Sequence, residues 1–151
     1  MFVIGSDHGG LELKEAVKAV LASRGMNVTD FGTDNCGSVD YPDFAEKVAG
    51  AVSRGEAANG ILVCGTGIGM SIVANKFPGV RAALATDEFM AQMAKEHNNA
   101  NVLVLGGRVL SADLATKMVN VWLDATFEGG RHQMRLDKIA KLEAAVRAGK
   151  L

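Results

Sequence analysis

The chain has 151 residues, 48% of them apolar and 22% charged, which suits one domain built on a single substantial core and argues against a second. Sixteen basic and seventeen acidic residues leave a formal net charge of -1, so no global field draws the protein to nucleic acid or to an anionic membrane. Two cysteines, Cys36 and Cys64, do not make a stapled secreted scaffold. With no basic lead and no long apolar run at the N-terminus, the expectation is a cytoplasmic protein without a signal peptide or membrane span.

Short β-branched runs alternate with stretches of helical period from Phe2 to about Phe127, the rhythm of a parallel sheet covered by helices. Residues 2–6 predict the first strand, and Leu13, Val17, Val20 and Leu21 then share one helical face that Gly25 closes. A strand is expected at 27–31, followed by a polar, turn-rich stretch to Tyr41. Pro42 suits the first turn of a helix carrying Phe44, Val48 and Val52. Further strands fall at 60–64, 81–85 and 101–105. Asp87 with Glu88 and Ser111 with Asp113 mark helix starts, and Leu114, Met118, Val119 and Trp122 form a covering face. After Gly129-Gly130 a last helix runs from about residue 131 with Ile139, Leu142 and Val146 in register. It has no strand of its own to cover, so its apolar side should pack across the end of the domain or on another subunit. The expected fold is α/β: a single domain over 1–151, a three-layer α/β/α Rossmann-like sandwich around a five-stranded parallel sheet, with an extra C-terminal helix.

In an open parallel sheet, ligands bind outside the carboxyl ends of the strands. Those ends carry Ser6-Asp7-His8-Gly9-Gly10, Cys64-Gly65-Thr66-Gly67-Ile68-Gly69, Thr86-Asp87 and Gly106-Gly107-Arg108. The second of these is the strongest local feature, because a glycine-rich strand-to-helix turn lets backbone N–H groups face an anion. That anion is either a Cys64 thiolate or an oxyanion on a substrate; the competing reading makes Cys64 a small buried hydrophobe closing a strand. Position 70 is Met, so GxGxxG and Cys-x5-Arg both fail, and no GxxxxGK[ST] is present. Nucleotide binding and covalent phosphoryl transfer lose their support.

His8, His97 and His132 form neither HExxH nor a close pair in sequence, so a metal site is not expected. His8 stands beside Asp7, and His97 is useful as a general acid or base. Arg131 and Arg135 are four apart at the start of the last helix, which places both guanidinium groups on one face as a candidate phosphate clamp, with Arg108 at the sheet end to join them. The remaining lysines and arginines read as solvent-facing charge. A base, an anion turn, a histidine and a phosphate clamp without a cofactor motif fit proton abstraction next to a carbonyl.

The segments Gly5-Ser6-Asp7-His8-Gly9-Gly10, Asp40-Tyr41-Pro42-Asp43, Gly60 through Gly69, Ala74-Asn75-Lys76, Arg81-Ala82, His97-Asn98, Asn101-Val102-Leu103, Gly106-Gly107-Arg108 and Glu128 through His132 with Arg135 resemble, in this order, the type B ribose-5-phosphate isomerase family. That family also holds isomerases of related aldose phosphates. The resemblance implies cofactor-free interconversion of D-ribose 5-phosphate and D-ribulose 5-phosphate through an enediolate, in the non-oxidative pentose phosphate pathway. It implies Cys64 as the base between C2 and C1, with Thr66 assisting proton transfer at oxygen. Gly65, Thr66, Gly67, Ile68 and Gly69 would supply N–H groups, Asp7 and His8 would contact the sugar, and His97 would open the furanose ring. Asn98 would hold a substrate oxygen, and Arg108, Arg131 and Arg135 the phosphate. It further implies a site at a dimer interface, hence a homodimer or dimer of dimers with the helix from about 131 on the neighbouring subunit. Ser6 is a departure, standing where relatives carry Cys. Two other readings are an isomerase of a six-carbon phosphosugar, such as allose 6-phosphate or galactose 6-phosphate, and a non-catalytic phosphosugar-binding module.

Overall fold

Five strands, β1 (Phe2–Ser6), β2 (Val28–Asp30), β3 (Asn59–Cys64), β4 (Ala82–Leu84) and β5 (Val102–Gly106), pair in parallel in the order β2-β1-β3-β5-β4. The computed structural model describes residues 1–151 and adds six helices: α1 (Leu11–Ser23), α2 (Tyr41–Ser53), α3 (Ile68–Ala74), α4 (Glu88–Glu96), α5 (Ala112–Asp124) and α6 (Arg131–Arg147). All five expected strands form. β2 and β4, at the two edges, are the shortest.

Strand order and right-handed crossovers together decide which helix covers which face. The steps from β1 to β2 and from β4 to β5 run one way across the sheet, and those from β2 to β3 and β3 to β4 run the other. Helices α1 and α4 therefore share one face, joined by α5, while α2 and α3 cover the opposite face. The strand side chains sort accordingly with a period of two. Ile4, Ile61, Val63, Leu103 and Leu105 join the core under α1, α4 and α5, and Val3, Leu62, Cys64, Val102 and Val104 join the core under α2 and α3. Trp122 is the largest fully buried side chain and meets Phe2 edge-on, with ring centroids 6.2 Å apart.

The expected helix boundaries hold, for local reasons. Asp87 accepts from the Met90 N–H and Ser111 from the Leu114 N–H, caps worth about 1 kcal/mol each, and Pro42 lies in the first turn of α2. A short 3-10 turn over His8–Gly10, not foreseen from the sequence, sits between β1 and α1, its Gly10 N–H donating to Asp7 Oδ1.

Two lysines correct the expectation of solvent-facing charge. Lys14 is fully buried, its ammonium donating to both Asp30 oxygens at 2.8 Å and to the Thr33 carbonyl. A helical position pointing at the sheet admits a lysine only with such partners. Lys95 lies over the Trp122 ring, 4.3 Å from its centroid, and donates to Asn59 Oδ1 and the Ala100 carbonyl. Burial, seconded by the nearby Arg81 charge, lowers its pKa to about 8.

Candidate active site

The strand order reverses between β1 and β3, so the loops after those two strands part and leave a crevice at the carboxyl edge. Cys64 ends β3 there, with 5% of its surface exposed. Gly67 adopts φ +82, which a side chain resists, and turns its N–H onto Cys64 Sγ at 3.1 Å. The Ile68 N–H donates to Thr66 Oγ1 at 3.2 Å. Two of the N–H groups expected to face a ligand are thus already engaged, while those of Gly65, Thr66 and Gly69 make no hydrogen bond within the chain. One glycine-rich turn serves both purposes: a donor for the sulfur and free donors beside it for an oxyanion.

The neighbouring loops close on this turn. A Cβ on Gly107 would stand 2.6 Å from the Gly9 carbonyl oxygen, and one on Gly65 would meet the Arg108 guanidinium at 3.1 Å. Arg108 therefore lies across Gly65 and Gly9, next to the sulfur-bearing turn. Asp7 is nearly buried and spends one oxygen on the Gly10 N–H. The Val39 N–H donates to His8 Nδ1 at 3.2 Å, so the proton of the neutral ring belongs on Nε2, facing away as a donor. Val39 sits on the loop whose start is pinned by Lys14 through Thr33. The Tyr41 ring packs on Gly69, where a Cβ would approach within 2.6 Å.

The other expected residues gather elsewhere. α4 and α5 both run back from the carboxyl edge, so the residues that follow them reach the amino edge of the sheet. His97 caps the end of α4, and Asn99 at φ +44 turns the chain. Arg81 clamps that turn by donating to the Asn98 and Asn99 carbonyls. Arg131 and Arg135 open α6 close by, exposed and without an ion pair. Cys64 and the start of its own strand are five residue steps apart, about 17 Å, and His97 lies beyond that start. The expectation that Arg108 joins Arg131 and Arg135 is corrected for a single chain: the three stand at opposite edges.

A concavity also lies at the amino edge. It has a volume of about 760 Å³ and runs between α6 and the β4 edge, with Asn98, Arg81, Leu136, Ile139, Leu142 and Val146 in its lining. Ile139, Leu142 and Val146 are each half-exposed, so α6 buries side chains only in its first turns, at His132 and Leu136, although Glu143 further along accepts the Gly79 N–H at 3.1 Å. Apolar side chains are open at the carboxyl edge too, Ile68, Ile72 and Phe89 among them.

Against known proteins, the profile of the family described as Ribose/Galactose Isomerase matches residues 2–139. The chain belongs to that isomerase family. Ribose-5-phosphate isomerase B of Escherichia coli is 48% identical over 92% of this chain and 93% of the relative. A D-erythrulose-4-phosphate isomerase of Pectobacterium atrosepticum is 45% identical over 93% of each chain. Among solved structures, ribose-5-phosphate isomerase B of Clostridium thermocellum superposes with a TM-score of 0.94 at 54% identity, over 96% of this chain and 98% of that one. The Mycoplasma genitalium enzyme, solved with bound ribulose-5-phosphate, gives 0.91 at 45% identity over 95% of each.

Two of the motif residues read from the sequence make hydrogen bonds that hold the fold. Asn75 mimics a strand neighbour, exchanging two 2.9 Å hydrogen bonds with the Ala82 backbone, and Asn101 accepts from the Arg81 N–H at 2.8 Å. What the sequence did not reveal is a histidine pair. His97 and His132, far apart in the chain, stack with ring centroids 4.1 Å apart and planes 14° from parallel. Glu128 completes a group whose ligand atoms lie within 4.8 Å of one another. Ring nitrogens bind metals in the ring plane, and two nearly parallel planes offer no shared point, so this arrangement is a stack rather than a chelate. The i, i+4 spacing of Glu128 and His132 was the one available signal.

Proposed function

We propose that the chain is a ribose-5-phosphate isomerase, interconverting D-ribose 5-phosphate and D-ribulose 5-phosphate by proton transfer through an enediolate. The observation that carries the reading is Cys64 Sγ accepting the Gly67 N–H at 3.1 Å, with free backbone donors on the same turn and Arg108 across it. The Cys64 sulfur, held in place by that donor, is the base that removes the proton from C2 of the open-chain aldose. The negative charge passes to the carbonyl oxygen, where the Gly65, Thr66 and Gly69 N–H groups and the Thr66 hydroxyl are the available donors. Reprotonation at C1 gives the ketose. In this reading Asp7 and His8 contact the sugar, His97 opens the furanose ring, Asn98 holds a substrate oxygen, and Arg108, Arg131 and Arg135 take the phosphate.

Residues at opposite edges serve one reaction when two copies meet. We propose a two-fold homodimer in which the α6 end of one subunit, carrying His97, Asn98, Arg131 and Arg135, covers the Cys64 edge of the other. The apolar side chains open at both edges supply the contact, and the unpaired arginines of α6 have no anion in their own subunit. A cytoplasmic location and a role in pentose phosphate interconversion accord with this reading.

The test follows D-ribose 5-phosphate by NMR in heavy water with chelator-treated protein. Ketose formation with deuterium entering carbon is the expected result. Turnover of allose 6-phosphate or galactose 6-phosphate in place of ribose 5-phosphate would replace the substrate, and binding without turnover of any sugar phosphate would replace the enzyme with a binding module.

A further inference from the structure

We propose that Glu128 and His132 are positioning residues for His97, preparing the ring-opening step separately from the enediolate step at Cys64. The inference rests on the reading in which His97 opens the furanose ring. His97 caps α4 and is partly buried at a helix end, where a proton-transfer group must be held in one rotamer. The His132 ring lies flat against it at 4.1 Å, which fixes the plane of the His97 imidazole. His132 is itself fixed, with 5% of its side chain exposed, and Glu128 Oε2 stands 3.3 Å from its Nε2. That separation is of hydrogen-bond length, but the alignment falls short of a bond and leaves Nε2 without a formal partner, so a small rotation of the exposed carboxylate completes it. Glu128 is in turn tethered through its N–H to the carbonyl of Glu96, the residue before His97, at 3.0 Å. The carboxylate and both rings are thus anchored to one helix end. A buried imidazole nitrogen with only a carboxylate in reach and no structural bond of its own calls for a role, and the stack supplies one.

Ring opening breaks the C1–O4 bond. O4 keeps the electron pair and takes a proton from His97, while the anomeric hydroxyl gives its proton to water and becomes the C1 carbonyl. His97 is then reprotonated from solvent, and no electron acceptor takes part. A ring misplaced by an ångström loses much of this transfer, whereas the carbon-proton chemistry at Cys64 is untouched.

Ribulose 5-phosphate separates the two steps. Its O5 is esterified, so it cannot close a furanose ring, and deuterium uptake at its C1 reports the enediolate step alone. His132→Ala and Glu128→Gln should slow ribose 5-phosphate turnover about 10- to 100-fold while C1 exchange on ribulose 5-phosphate stays within about twofold of the parent. His132→Phe, which keeps a flat partner for the stack, should recover most of the loss seen in His132→Ala. Parallel loss of turnover and exchange, or no loss of either, would overturn the proposal. His97→Ala serves as the reference. If it leaves ring-dependent turnover intact, the assigned role of His97 fails; if it splits turnover from exchange and the Glu128 and His132 variants do not, only the positioning proposal fails.

Discussion

The two edges of the sheet are finished differently. At the carboxyl edge, Cys64, Asp7, His8 and Arg108 are held by backbone: the Gly67 N–H on sulfur, the Gly10 N–H on Asp7, the Val39 N–H on His8, and glycines so close that a Cβ would collide. At the amino edge, His97 is held by another side chain, Arg131 and Arg135 extend into solvent, and a row of apolar residues on α6 stays half-exposed. The first edge is built to place a reactive atom and the second to meet something outside the subunit. In the proposed homodimer, the second edge of one copy would cap the first edge of the other.

The sharpest way to break this comparison is complementation. Cys64→Ala alone should lower turnover by about three orders of magnitude, as loss of a general base does, and His97→Ala should also be defective. In a dimer with shared sites, co-refolding the two variants in equal amounts makes half of the dimers mixed, each with one intact site, so roughly a quarter of parental activity returns. Activity that stays at the level of the separate variants would mean that each subunit builds its site alone.

A smaller effect probes how the carboxyl edge is supported from below. Lys14→Met removes the only ammonium donating to the Thr33 carbonyl, leaving buried acceptors unpaired at a cost of about 3 kcal/mol, read from denaturant unfolding. For Asp30, burial pushes the carboxyl up, but hydrogen bonds from Lys14, Lys18 and the Gly32 N–H outweigh it and hold the pKa below the ordinary value. The folded-state pKa is the lower one, so this contribution is present above the unfolded carboxylate pKa and fades as pH falls through the folded value. Lys14→Met should therefore lose more stability at neutral pH than in acid; an equal loss at both would rule out the ion pair as its source.

The mildest test reads the amino edge. With the Lys95 pKa near 8 against an ordinary 10.5, the unfolded chain holds more protons between those values, and stability gains from this group as pH rises from 8 to 10.5. Trp122, the only tryptophan, faces that ammonium. Its emission should titrate with a midpoint near pH 8, and Lys95→Met should abolish the transition without lowering stability at neutral pH by more than about 1 kcal/mol.

Much of this protein is written in local chemistry. Alternating apolar runs, Asp87 and Ser111 as caps, Pro42 in a first turn and the Cys64-Gly65-Thr66-Gly67 turn depend on residues within a few positions of one another, so strands, helix starts and the sulfur-bearing turn follow from the sequence alone. The order β2-β1-β3-β5-β4, the burial of Lys14, and the stacking of His97 on His132 join residues distant in the chain, and no local period encodes them. The same holds for the separation of Arg108 from Arg131 and Arg135. Arg108 follows β5 and Arg131 and Arg135 open α6, elements that were legible, but the edge of the sheet each arginine reaches is set by the direction in which the chain crosses the sheet before it. That direction exists only once the strands have paired and the helices have packed against them.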